Sequence, residues 1–276
     1  MTETANYPNP KLLDRLKRLQ LGLMWLAALI ALTVLLGWLS SNVQILLPEG
    51  WNLMKANTAA CVLLSVCAMA LSYYQTDPVR ILAARVLGAV VIAIAGMALL
   101  GHAVGEAFFL ETLLASDSES IMPGRMSIQT AVFFVILGFS CICEGRDNPY
   151  CRVVRELVCA LLVTLVLAVV AGYLFGATSL FQQNADILTS PQTLACMVLL
   201  ATSLLITRMH QGYFSILAGI GIGSKISRVT LPLMISLPFL IISCSVWLPQ
   251  SQGISPALAS AVTSAVSAGC LFVLLI

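Results

Sequence analysis

The sequence predicts an all-α protein: a polytopic membrane helix bundle of about eight transmembrane helices built from repeated helix pairs. Composition is the first reason. Apolar residues make up 59% of the chain and charged residues 9%, against about 25% charged in a soluble domain. Mean hydropathy is +0.98. Recurrence is the second reason. Within PGRMSIQTAVFFVILGFSCIC (residues 123–143), a polar lip and a polar helix start (Ser127, Gln129, Thr130) lead into an uncharged apolar run. The same grammar returns where Asn57-Thr58-Ala59 leads into ACVLLSVCAMAL, and where Gln192-Thr193-Leu194 leads into LACMVLLATSLLI. Each copy follows an apolar helix that ends in Gly plus a ring: Gly37-Trp38, Gly101-His102 and Gly172-Tyr173. The copies lie roughly 60 to 70 residues apart.

The third reason is the distribution of basic residues. With the N-terminus inside, Lys11, Arg15, Lys17, Arg18, Arg80, Arg85, Arg146, Arg152, Arg155, Arg208, Lys225 and Arg228 fall on cytoplasmic segments. Only Lys55 and Arg125 fall outside. Such a positive-inside bias sets orientation and places both termini in the cytoplasm. The net charge of +2 carries no comparable information.

In chain order, residues 1–19 form a cytoplasmic basic amphipathic segment. Asn9 caps it, Pro10 takes its first turn, and basic residues alternate with leucines at an anionic leaflet. The membrane domain is read over 20–276, with repeat pairs at about 20–74, 81–143 and 153–207 and a divergent pair over 229–276. Asp77 and Pro78 lie in the turn after the first pair, and Ser190-Pro191 starts the sixth span. The stretch 208–228 is too short and too glycine-rich to span and reads as interfacial or re-entrant. Pro232 and Pro238 are expected to kink the seventh span. The eighth, 256–276, ends within an apolar run, which suggests the membrane part of a longer polypeptide.

Several residues are candidates for a site. Trp38, His102 and Tyr173 hold equivalent places at the outer ends of the odd spans, as an aromatic belt or as the lining of an outward cavity. Asn57, Gln129 and Gln192 hold equivalent places at the outer starts of the even spans, where amides cap or cross-link helices. With Arg125, these seven residues define an outer vestibule for a small polar or anionic ligand, onto which three helix N-termini would converge. Ala257, Ala261, Ala265 and Gly269, spaced four apart, form a small-residue face for packing or homodimerisation. The nine cysteines include no C-x-x-C pair, so no metal or disulfide site is expected. No cofactor and no catalytic set is read from the chain. No charge sits at mid-span, which argues against ion-coupled transport. GIGIGSK at 219–225 lacks phosphate-loop spacing, and no nucleic-acid partner is expected.

The stretches PGRMSIQTAVFFVILGFSCI, GYLFG…SPQTLACMVLLATSLLI and GSKISRVTLPLMISLP together resemble MASE-type bacterial integral-membrane sensory regions. Those regions precede GGDEF diguanylate cyclase or histidine kinase modules. The resemblance runs from about Trp38 to Pro238. It implies a sensory or anchoring role in the bacterial inner membrane, as in two-component or diguanylate cyclase signalling, with a cytoplasmic output domain beyond residue 276. This chain holds no GGDEF motif and no kinase histidine box, so no enzymatic activity is expected of it as given. A small-solute transporter or permease, or a heme- or quinone-binding membrane protein, is the alternative.

Overall fold

An Asx-Pro step opens three of the helices, because a short side-chain acceptor satisfies the free amides of a first turn and proline fits its fixed φ. The computed structural model describes residues 9–39, 53–72, 77–105, 108, 124–145, 148–174, 189–209 and 213–252. Among these residues it consists of helices with no strand: α1 (Pro10–Leu39), α2 (Ala56–Ser72), α3 (Pro78–Val104), α4 (Ile128–Ile142), α5 (Pro149–Leu174), α6 (Pro191–Arg208), a 3₁₀ helix (Tyr213–Leu217) and α7 (Ile222–Gln252). Asn9 Oδ1 accepts from the Lys11 amide at 3.1 Å, as expected for a cap at the start of α1. Asp77 Oδ1 does the same for Val79 at 2.9 Å, and Asn148 Oδ1 for Tyr150 at 3.1 Å. Ser127 and Ser190 cap α4 and α6, their hydroxyls accepting from Thr130 N at 3.3 Å and Thr193 N at 3.2 Å. Gly105, at φ +81°, ends α3 in the left-handed conformation that glycine tolerates.

Among the described residues four helices are long and apolar enough to cross a membrane: Pro10–Trp38, Pro78–Val104, Tyr150–Leu174 and Pro191–Arg208. The apolar helices α2 and α4 are shorter, at 17 and 15 residues. At about 1.5 Å per residue they fall short of a hydrocarbon core of about 30 Å. The seventh expected span lies inside α7, which begins earlier, at Ile222, and takes in part of the stretch read as interfacial. The eighth expected span lies outside the described residues.

The two short helices lie inside, together with α6. α2, α4 and α6 touch one another, and each outer helix wedges between two of them: α1 between α6 and α2, α3 between α2 and α4, α5 between α4 and α6. Half of the apolar window of α6 is buried, against 28% in α1 and α3. The outer helices turn large apolar side chains outward, including Trp25, Leu29 and Leu36 of α1, Leu82 and Val86 of α3, and Leu157 and Leu161 of α5. An exterior of this kind is fitted to lipid rather than water, which is compatible with a multi-pass membrane protein.

The centre is filled by Phe133, Phe134, Leu137, Met197 and Leu200, each fully buried. Phe133 and Phe134 meet edge to face at 5.5 Å. The most extensively packed pair is α3 with α4, whose backbones touch at two glycines. A Cβ on Gly138 would stand 2.7 Å from the Gly88 carbonyl oxygen, and one on Gly88 would stand 2.8 Å from that of Gly138. Small residues let helices approach this closely. α7 packs on the 3₁₀ helix. Its first turn is held by Arg228, which donates to Ser224 O at 3.1 Å and Gly219 O at 3.2 Å. The Asn9 amide donates to Ala218 O at 2.8 Å, tying the start of α1 to the same turn.

Candidate functional site

Two polar layers close the bundle, one at each end. The first lies at the starts of α2, α4 and α6 and holds the residues singled out in the sequence. Trp38 Nε1 donates to the Met54 carbonyl at 2.9 Å. His102 Nε2 lies 2.9 Å from the Met126 carbonyl; because a carbonyl only accepts, Nε2 carries the proton in this bond. Met54 and Met126 stand at matching points, each three residues ahead of the amide side chain that follows it, Asn57 and Gln129. Tyr173, at the corresponding end of α5, packs against the core.

Asn57, 3% exposed, donates from Nδ2 to Gly124 O at 3.2 Å. Gly124 adopts φ +67°, which turns its carbonyl toward that amide without the strain a side chain would bring. The Ser127 hydroxyl pairs with Thr130 and with Thr189, each at 2.7 Å, so the cap of α4 also reaches the residue before the cap of α6. Ser190 pairs with Thr193 at 2.8 Å. Arg125 is 2% exposed and engaged rather than free. The Gln129 and Gln192 Oε1 atoms are buried without a hydrogen-bond partner among the described residues.

The structure therefore brings Trp38, Asn57 and His102 into bonds with backbone carbonyls, and these bonds knit one helix pair to its loop or to the next pair. Each side chain has a structural occupation in this arrangement. The small-residue face of Ala257, Ala261, Ala265 and Gly269 lies outside the described residues.

The second layer lies at the opposite, basic end, and the sequence reading did not anticipate it. Arg208, in the last turn of α6, grips Glu144, just past α4, with both terminal nitrogens: Nη2 to Oε2 at 2.6 Å and Nη1 to Oε1 at 3.3 Å. The two side chains are only 9% and 7% exposed. Arg85 of α3 donates to the Glu144 carbonyl at 2.9 Å, and Arg155 of α5 donates to the Cys143 carbonyl at 3.2 Å. Gln20 of α1 donates to Thr207 Oγ1 at 2.8 Å. Arginines thus collect where the α4 and α6 backbones end, the negative end of a helix dipole. Glu144 opposes that dipole and so needs a cation, a local signal that the sequence did contain.

Among the described residues no group of three His, Cys, Asp or Glu side chains comes together as metal ligands. Ser72, Ser140, Glu144, Thr207 and Arg208 line a small half-open cleft between α2, α4 and α6 at the basic end. No protein-family model matches the chain, and no curated protein or solved structure matches it either.

Proposed function

We propose that this chain is the membrane-embedded sensory or anchoring region of a bacterial signal-transduction protein, similar to MASE-type regions, with its output domain on the cytoplasmic side. The observation that carries the reading is the three-around-three packing of α1–α6. We read it as one hairpin used three times, on three grounds. Each outer helix opens on an Asx-Pro step. Two of them end in a ring nitrogen bonded to a loop carbonyl. Two inner helices carry the same Ser-x-x-Thr cap.

A triplicated hairpin with no charge at mid-span lacks the intramembrane ionisable groups that line an ion path. α7 stands beside this ring, joined through the 3₁₀ turn, and would carry a change in packing toward the cytoplasm. A stimulus shifts the packing only if it binds two arrangements with different affinity. The chain would span the bacterial inner membrane with both ends inside and act as a homodimer.

Two measurements test this reading. Reporter fusions or impermeant labels should place both chain ends on the cytoplasmic side. In the full polypeptide, deleting residues 1–250 should abolish regulation of the output activity; unchanged regulation refutes the role. A permease of a neutral solute is the competing reading, since the spans carry no mid-membrane charge for an ionic cargo. Uptake of solute by reconstituted vesicles would support it and count against a sensor.

A further inference from the structure

The cleft at the basic end has a donor surplus. Arg208 spends Nη1 and Nη2 on Glu144, and its Nε–H, buried beside them, has no partner among the described residues. The Ser140 hydroxyl, on a residue 1% exposed, has none either. Both residues line the cleft, and no hydrogen bond joins them. Buried donors left unpaired are rare and destabilising. Residues with acceptor atoms, Ser72 and Glu144, line the same cleft. Ser72 donates its own proton to Met69 O at 2.9 Å, which leaves its oxygen lone pairs for other donors. Glu144 contributes a carboxylate with about four lone-pair positions. The free volume is about 10 Å³, close to the smallest space that holds a water molecule. Cavities that stay dry are apolar throughout, whereas here three hydroxyls and an ion pair line the cleft beside Met69, Cys141 and Leu204.

We propose that this cleft is a binding site for a single water molecule that accepts from Arg208 Nε–H and Ser140 O–H and donates to the Glu144 carboxylate and Ser72 Oγ. The bound water adds an α4–α6 link to the direct ion pair and brings α2 into it. It occupies the point where the inner triangle meets the basic face. The site takes one oxygen atom and excludes larger solutes, so it is distinct from the transport reading above.

The whole chain in lipid nanodiscs provides the test. A high-resolution map should show one compact density within hydrogen-bonding distance of Ser140 Oγ and Arg208 Nε. An empty cleft, or elongated density, overturns the proposal. Melting temperatures give an independent readout. Ser140→Ala and Arg208→Lys, the latter keeping the charge opposite Glu144, should each lower the melting temperature. The double variant should fall by clearly less than the sum, because either change alone removes a partner of the shared water. Additive falls overturn the sharing. If Arg208→Lys does not fold, the Ser140→Ala and Ser72→Ala cycle reads the same coupling.

Discussion

Replacing Gly138 by alanine puts one methyl group where the helix backbones of α3 and α4 meet. The new Cβ would lie 2.7 Å from Gly88 O and 2.8 Å from Ile92 Cγ1. An ordinary contact begins near 3.4 Å, so the helices must part by about 0.7 Å (3.4 − 2.7). A gap of that order forfeits roughly a quarter to a half of each dispersion contact it opens. Because α3 and α4 form the most extensive pair in the bundle, the loss falls on many contacts, and overpacking of this kind costs about 1–3 kcal/mol. Alanine returns at most about 1 kcal/mol of helix propensity. The expected net is a destabilisation of about 1–2 kcal/mol. Gly88→Ala should behave alike, with its Cβ 2.8 Å from Gly138 O.

One separation of the helices relieves both clashes, so the double variant should lose less than the sum of the singles. Denaturant titration of the purified protein in detergent, followed by circular dichroism, measures this. Gly22→Ala and Gly96→Ala are the controls, since a Cβ there meets nothing within 4 Å; they should be neutral or slightly stabilising. If Gly138→Ala unfolds at or above the wild-type denaturant midpoint, the close approach of α3 and α4 is refuted.

Three further outcomes follow from the polar layers. Glu144→Gln strands the buried Arg208 charge and should cost about 3–5 kcal/mol, whereas Glu144→Leu with Arg208→Met should cost much less; equal losses in denaturant titration would contradict this. Ser127→Ala and Ser190→Ala each remove a cap, typically about 1 kcal/mol. The first should cost more in the same titration, because Ser127 also pairs with Thr189. Trp38→Phe keeps the ring but leaves the Met54 carbonyl without its indole donor, so it should lower stability by about 1–3 kcal/mol; an unchanged melting temperature would argue against that bond.

Much of this architecture is local and was therefore legible. Asn9, Ser127 and Ser190 announce helix starts because a cap involves residues only two or three apart. Uncharged apolar runs announce helices because a backbone buried in hydrocarbon must bond within itself. The matching positions of Trp38 with His102, and of Asn57 with Gln129, were visible as recurrence. The Asx-Pro step at Asp77 carried the same information at the other end, but it read first as a turn.

What remained hidden involves partners far apart in the chain. Nothing near Gly88 indicates that Gly138 lies against it, and nothing near Glu144 identifies Arg208 as its counter-ion. In a water-soluble helix the polar face would show which side is buried. Here the outer face is as greasy as the core, so an apolar pattern cannot distinguish α2 and α4 inside from α1 and α3 outside. The sequence by itself determined that the chain is helical and apolar, where its capped helices such as α1, α4 and α6 begin, and that a common grammar recurs along it. Only the tertiary structure decided which helices form the inner triangle and that Glu144, Arg208 and Ser140 share a cleft. Contacts between distant residues depend on how the helices pack, and lipid does not mark the buried side in the sequence.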